Sequence, residues 1–500
     1  MALQPFAVFR CDGGPLIGTG HVMRCLAFAD RLEDIGWQTQ FAVSPETVGA
    51  VPSLASRQTE TIRLDENDSP KDIGARLDRS CDLAVIDHYE RDAKYETACR
   101  DWAKRVFIFD DLADRKHDCD MIADFTPGRT SDAYEGKIPE HCRKLIGANH
   151  APLRRSFFRT RIVAPDGGAS DQPRHILISP GATDPTDISS HALDAIRHAG
   201  LDVSVTIALG SAAPHKEKVD AKLSDHDAEL LIDCNDMAGE ISRADLVIGA
   251  GGMSAWERCC LGKPTLMAVT AANQKANAAA LSEMGAIQVV EAPEDSHLFG
   301  QTISGLLSDA NALRNMKNRA IELCDGLGSA RLAIAATPAP KAKDGKPVSL
   351  RPVTREDSDI MFAWQQEPEM RRYARNRQTP KRDEHESWLA NKLADPRCIF
   401  NIITHGDTPA GVLRFDYRQE NEGFEISILV GSEQHNLGIA GHALALGRVL
   451  IDDWDLLAYV DSENRSSLRL FEHAGYSPTS SEGWWCAPAK EIRDLSLTTH

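Results

Sequence analysis

From residue 6 to about 335 the chain alternates short, wholly apolar runs with helix-period segments, and few folds tolerate that pattern. FAVFR (6–10), TQFAV (39–43), DLAVID (82–87), RVFIFDD (105–111) and MIADF (121–125) read as buried strands, with helices between several of them, as at Val22–Ile35 and Ala93–Lys104. A strand that is apolar on both faces needs covering on both, which is the signature of a parallel sheet flanked by helices. The pattern breaks at VAPDGGASDQP (163–173) and restarts with HILIS, DVSVTIALG, AELLIDC, DLVIGAGG, PTLMAVT and AIQVVE. Two such series in tandem predict an α/β architecture of two doubly wound, Rossmann-like domains, 1–162 and 174–335, facing each other across a cleft.

A Pro-, Ala- and Lys-rich stretch, ATPAPKAKDGKP (336–347), is expected to be a flexible linker. Beyond it the grammar changes. VSLRPVT, CIFNIITHGDTPAGVLRFDY and GFEISILV read as antiparallel strands interposed with helices, so residues 348–500 are expected to form an α+β domain. Three folding units suit a chain of 500 residues at roughly 150 residues per unit.

Charge and cysteine usage exclude some classes. A net charge of −18, from 56 basic and 74 acidic residues, lacks the basic field that nucleic acid or an anionic membrane requires. The 12 cysteines include no C-x-x-C pair and no zinc spacing, so they read as reduced thiols of a cytoplasmic protein, and no metal site is expected. No secretory leader is evident at the N-terminus, and no apolar run approaches the ~18 residues of a membrane span.

The chemistry begins at Ile17-Gly18-Thr19-Gly20-His21, between the first strand and the first helix. Gly18 and Gly20 let the backbone approach a ligand, the helix N-terminus favours an anion, and His21 places a proton acceptor beside it. In the second series Gly251 and Gly252 follow a strand, with Ser254 and Glu257 on the helix they open. The glycine pair presents N–H groups to a diphosphate, and a carboxylate one turn later can accept ribose hydroxyls. A further glycine turn at Gly181–Asp184, and Asn273 with Gln274 at a helix start, complete a nucleotide site at the strand ends. Asp12 either accepts a sugar hydroxyl or completes a turn; Asp87, His88 and Tyr89, at a strand end, are either sugar contacts or structural. Arg24 either reaches the cleft or lies along its helix, and Asp110 with Asp111 lack the further ligands a metal would need.

The ordered motifs RCDGGPLIGTGHVMRC, VIDHY, DDLADR, ISPGATDP and GAGGMSAWE…LGKPT…NQ resemble the UDP-sugar hydrolases of pseudaminic acid biosynthesis, relatives of the GT-B glycosyltransferases. The resemblance implies hydrolysis of UDP-2,4-diacetamido-2,4,6-trideoxy-β-L-altropyranose at the anomeric carbon, with inversion, without a metal, and with His21 as general base. Residues 348–490 resemble the GCN5-related N-acetyltransferases. Leu429 and Val430 end the strand FEISILV, and the loop His435-Asn436-Leu437-Gly438-Ile439-Ala440 stands where the family holds the pyrophosphate of coenzyme A, with Asn464 further on. That resemblance implies acetyl-CoA as cosubstrate. Glu425 is the candidate base, with a solvent-facing strand residue as the alternative; Phe471 stands where many relatives carry a tyrosine acid. Together the two resemblances imply consecutive steps on one UDP-sugar: N-acetylation of a 4-amino group, then release of UDP. The residues leave open a glycosyltransferase with an attached acetyltransferase, or a non-catalytic sensor of these ligands.

Overall fold

A computed structural model describes residues 4–14, 18–51, 54, 61–65, 69–163, 175–225, 227–270, 274–290 and 293–489. The expected contact Asn273 and most of the 163–173 break lie outside them. The chain forms two compact units, one up to Leu332 (less Asp34–Gly36) and one from Ala333 onward.

The first unit holds two parallel sheets. One contains β1 (Phe6–Cys11), β2 (Gln38–Val43), β3 (Thr61–Arg63), β4 (Leu83–Asp87), β5 (Val106–Phe109), β6 (Met121–Asp124) and β7 (Arg143–Ile146), in the order β3-β2-β1-β4-β5-β6-β7. The other contains β8 (His175–Ser179), β9 (Ser204–Leu209), β10 (Ala228–Ile232), β11 (Leu246–Ala250), β12 (Thr265–Ala268) and β13 (Gln288–Val290), in the order β10-β9-β8-β11-β12-β13. The apolar runs behave as double-sided burial demands: β1, β4, β5 and β11 are buried at every residue. In each sheet the strand order reverses, between β1 and β4 and between β8 and β11. Loops leaving neighbouring strands there diverge to opposite faces and open a crevice at the carboxyl ends. The motifs singled out above lie at those ends.

The two sheets are tied together within the unit. Phe125 meets Trp256 edge-on with ring centroids 6.2 Å apart, and Arg161 donates to the carbonyls of Cys260 at 2.7 Å and Cys324 at 3.1 Å. The helix Gly328–Ala336, within the stretch assigned to the second series, packs through its start on the segment after β7. A Cβ at Gly328 would stand 2.1 Å from the Ala151 carbonyl oxygen, so only glycine fits that crossing, and Ser329 donates to the Leu153 carbonyl at 2.6 Å.

A buried ionic cluster underlies the first sheet. His117 Nδ1 lies 2.7 Å from Glu96, and its Nε2 lies 3.7 Å from Asp110. Burial opposes the imidazolium, but the two carboxylates overcome it and raise the His117 pKa from 6.5 to about 9. A raised folded-state value means the stabilisation is complete below pH 6.5 and lost as pH rises through about 9. Thermal stability of the first unit is therefore expected to fall across that window by an amount of order 3 kcal/mol. His117→Gln should flatten this dependence; an unchanged slope in a melting series across those pH values would refute it.

The second unit is a mixed sheet of β14 (Val348–Pro352), β15 (Cys398–His405), β16 (Thr408–Arg418), β17 (Gly423–Val430), β18 (Leu456–Tyr459), β19 (Ser477–Pro478) and β20 (Trp484–Ala487), in the order β14-β15-β16-β17-β18-β20-β19. Pairing is antiparallel throughout except between β17 and β18, as expected of an α+β domain. The helices Ser358–Gln366 and Arg382–Ala394 cover one face through Met361, Trp364, Leu389, Phe400 and Ile402. The helix Ile439–Leu450 covers the other, coming so close that a Cβ at Gly447 would stand 2.7 Å from both Leu413 and Phe415.

The 336–347 stretch is not the structureless linker its composition predicts. Lys341 bridges to Pro347 around Gly345 (φ +87°), Lys343 N–H bonds the Leu437 carbonyl at 3.0 Å, and Asp344 pairs with His405 at 2.9 Å. Backbone bonds and the Asp344–His405 contact order the segment, with the small side chain of Ala342 buried within it. Among the described residues no helix is long and apolar enough to cross a membrane.

Candidate functional site

β1 delivers the chain into a loop closed by two reciprocal bonds, Gly14 N–H to Gly18 O (3.1 Å) and Gly18 N–H to Gly14 O (2.8 Å), with Gly18 at φ +74°. The helix Gly20–Asp34 starts directly after it, so His21 sits on the first turn, beside the end of β4. His21 Nδ1 lies 2.5 Å from Asp87 Oδ1. Arg24, one turn further on, donates through Nε to Asp87 Oδ2 and through a terminal nitrogen to Oδ1, both at 2.5 Å. The Arg24 guanidinium is buried, 5.4 Å from the ring centroids of Phe109 and Phe125. It also reaches Asp111 at 3.3 Å, which accepts from the Tyr89 hydroxyl at 3.1 Å, and the Tyr89 ring stands edge-on to His21 at 4.8 Å.

The electrostatics follow from this. Burial opposes ionisation of Asp87, but Arg24 and His21 prevail and hold its carboxyl well below the usual carboxylate range. An ionised Asp87 accepting from Nδ1–H fixes the His21 tautomer and leaves Nε2 as the proton acceptor. Asp87 is thereby removed from the expected sugar contacts: it is fully buried and both oxygens are taken by His21 and Arg24. Asp12 resembles it in being engaged, accepting from Arg10 at 2.7 Å and from Ser44 N–H at 2.8 Å, with His88 Nε2 at 3.3 Å. His88 Nδ1 accepts from the Glu90 N–H, so it is Nε2–H that faces Asp12. Of the strand-end trio, Tyr89 stays beside His21. Asp110 and Asp111 point to different partners: Asp110 accepts from Ala113 N–H and Tyr134, Asp111 from Tyr89 and Arg24.

Across the crevice, β11 leads into Gly251 and Gly252, and Gly20 lies close enough that a Cβ on it would meet Met253 at 3.7 Å. Gly251 is packed against Gln274 and Met267, and its N–H bonds Gln274 Oε1 at 3.2 Å. The same oxygen accepts from the backbone and hydroxyl of Thr270, so Gln274 ties two strand-end loops together through an atom expected to meet substrate. Gly252 faces open space. Ser254 accepts from Arg258 at 3.0 Å. Glu257 remains partly accessible, with Arg154 3.8 Å away; burial pushes its carboxyl pKa upward against the pull of Arg154 and Arg258. Gly181 (φ +116°) turns the chain out of β8, and Asp184 caps the following helix through the N–H groups of Ile188 and Ser189. Arg154 was not singled out from sequence; it lies far from Glu257 along the chain and carries no local motif.

In the second unit β17 and β18 pair only at Phe424↔Leu456 and Glu425↔Leu457. Past that point the two strands no longer pair, so the β18-facing edge of β17 opens towards its end at Leu429 and Val430, where an extended chain such as pantetheine could lie along it, with the Val430 carbonyl already taken by His435. Asn436 (φ +63°) and Gly438 (φ +83°) then turn the loop into the helix beginning at Ile439, whose first-turn N–H groups at Ile439, Ala440 and Gly441 have no partner within the helix. That suits a pyrophosphate. Ile439 contributes backbone only, since its side chain is in the core. Three of the expected site residues have partners within the chain. His435 Nε2 donates to the Val430 carbonyl at 3.0 Å, bracing the loop on the strand. Asn464 accepts from Ser467 N–H at 3.1 Å and so caps a helix. Glu425 is buried, not solvent-facing: Arg418 donates to it through Nε at 2.9 Å and Arg375 pairs with its other oxygen. Phe471 is buried against Tyr476, with ring centroids 5.0 Å apart.

Two stretches of the chain match known domain families. Residues 348–477 match the acetyltransferase (GNAT) domain model, and residues 175–328 match the glycosyltransferase family 28 C-terminal domain model. The chain thus carries, in tandem, a stretch similar to the glycosyltransferase family 28 C-terminal domain within its two parallel sheets and a stretch similar to the GNAT domain within its mixed sheet. Among particular relatives, the uncharacterized protein MJ1062 of Methanocaldococcus jannaschii is 20% identical over 94% of this chain and 96% of its own length. The spore coat polysaccharide biosynthesis protein SpsG of Bacillus subtilis is 30% identical over 32% of this chain and 48% of its own length. The UDP-2,4-diacetamido-2,4,6-trideoxy-beta-L-altropyranose hydrolase of Campylobacter jejuni is 24% identical over 49% of this chain and 85% of its own length.

Proposed function

We propose that the chain is a bifunctional enzyme: its first unit hydrolyses a UDP-sugar of the 2,4-diacetamido-2,4,6-trideoxyaltropyranose type, and its second N-acetylates the 4-amino group of the preceding UDP-sugar. The observation that carries the first activity is the Asp87–His21 pair at the N-terminus of a helix in the strand-end crevice. His21 Nε2 takes a proton from water as the water oxygen bonds to the anomeric carbon. The bond from that carbon to the diphosphate oxygen breaks, and UDP departs as an anion met by backbone N–H groups and a helix end. One displacement inverts the anomeric centre. Glu257 accepts the ribose hydroxyls. The likeness to the Campylobacter hydrolase supports this substrate class.

Acetyl-CoA supplies the activated acyl group for the second activity. The free edge of β17 aligns its extended arm, and the turn at Gly438–Ala440 receives its pyrophosphate.

The direct test is to incubate the protein with UDP-4-amino-4,6-dideoxy-N-acetylaltrosamine, with and without acetyl-CoA, and follow CoA and UDP by chromatography. Both should appear, UDP only when acetyl-CoA is present. UDP release that requires an added sugar or alcohol would replace hydrolysis by glycosyl transfer, and absence of CoA would remove the acetyltransferase assignment. A narrower expectation concerns Glu257→Ala. Charge-assisted bonds contribute roughly 1.5–3 kcal/mol, so UDP affinity should fall by about 10- to 100-fold, with turnover at saturating substrate affected less. Equal UDP affinity by calorimetry would end the ribose assignment.

A further inference from the structure

Glu425 lies on the face of the sheet that also carries Tyr459 and Trp484. Glu425 pairs with Leu457, two residues before Tyr459 on β18, and Tyr459 pairs with Trp484 on β20, so all three side chains project the same way. Into the space between them comes Arg375, from the stretch joining the helices Pro368–Arg371 and Arg382–Ala394. Its guanidinium stands 5.3 Å from the Tyr459 ring centroid and 5.5 Å from that of Trp484, and it pairs with Glu425. A buried carboxylate and two aromatic faces form a binding box for a cation. Glu425 has Arg418 as a second partner on the adjacent strand, so Arg375 is surplus to its neutralisation. Arg375 itself is about half exposed, at 51% of its side chain, so one side of its guanidinium stem already faces solvent.

We propose that Arg375 is an internal stand-in for a substrate ammonium, and that the box of Glu425, Tyr459 and Trp484 takes a primary ammonium when Arg375 leaves it. This rests on the acetyltransferase reading for the identity of the ligand. An acetyl acceptor with a free amine arrives in water largely as its ammonium form, and the box recognises that form before the proton is given up. Arg375 then acts as a competitor present in every molecule, reducing apparent affinity by the fraction of molecules in which the box is occupied.

Ligand-observed NMR with n-butylammonium as the probe tests this on the full chain. Arg375→Ala, and Arg375→Gln as a variant keeping a polar stem, should each bind the probe about tenfold more tightly than the unaltered protein. Adding Glu425→Gln to Arg375→Ala should abolish that gain. Equal affinity with and without Arg375, or a gain insensitive to Glu425, overturns the proposal. CoA release with amines is measured in parallel. A tightened site with no CoA release from any amine leaves the cation box standing and removes acetyl transfer; CoA release with no tightening does the reverse.

Discussion

Changing His21 to alanine is expected to slow UDP release by about 10²- to 10⁴-fold, the usual contribution of a positioned general base, while UDP affinity stays as it was. The two quantities separate because His21 and the nucleotide cradle stand on different sheets. The base belongs to the helix after β1, whereas Gly252 and Glu257 follow β11. Removing the imidazole takes away the proton acceptor and leaves the groups that bind UDP in place. Single-turnover release of UDP, set beside calorimetric binding of UDP, reads both. A variant that turns over at the original rate would mean that another group activates the water, and the Asp87–His21 pair would lose its catalytic meaning. A variant that binds UDP poorly would instead place His21 in the cradle. The same measurement on acetyl transfer should show no change, because Glu425 and the β17 edge lie in the other unit.

Much of this was legible in the sequence, for identifiable reasons. Parallel strands buried on both faces leave continuous apolar runs, so β1, β4, β5, β8 and β11 could be read directly. Glycines at strand ends marked the crevice because the topology places ligands there. What stayed hidden depends on partners distant along the chain. Asp87 is separated from His21 by 66 residues, and nothing in VIDHY says that its aspartate faces a histidine on another element. The arginines on Glu425 are of the same kind, one on the adjacent strand and one on a distant loop. Asn464 stands immediately before a helix, where an asparagine commonly caps, and here its Oδ1 accepts from Ser467 N–H, a role the motif resemblance did not indicate. Arg24 sits three residues after His21, a spacing that puts both on one helix face, and that offset was the available clue to its part in the site. The ordered turn at 341–347 carries no apolar periodicity, since backbone bonds and the Asp344–His405 pair hold it and only Ala342 is a buried apolar side chain there.

Asp87→Asn should reveal whether this carboxylate acts through His21. An amide offers one acceptor and one donor where the carboxylate offers two acceptors, and Asp87 serves four donors: His21 Nδ1, Arg24 Nε, an Arg24 terminal nitrogen and the Cys25 thiol. The amide nitrogen must therefore face either the arginine or the imidazole. Facing the imidazole, it favours the tautomer with the proton on Nε2, which is useless for accepting one from water. Turnover should fall by about 10²- to 10⁴-fold with KM little changed. The loss should not multiply with that of His21→Ala, because the two residues act as one device, and the double variant should be no slower than His21→Ala alone. Stability falls too. Arg24 keeps a bond to the amide oxygen but has only Asp111, at 3.3 Å, as a carboxylate partner, and breaking a buried ion pair costs about 3–5 kcal/mol. The sign with pH is fixed by the depressed carboxyl: its stabilisation is present above the usual carboxylate value of about 4 and fades as pH falls below it. The asparagine variant should therefore lose stability at neutral pH and converge on the unaltered protein in acid. Losses that multiply in the double variant would show Asp87 acting on catalysis by a route that does not pass through His21.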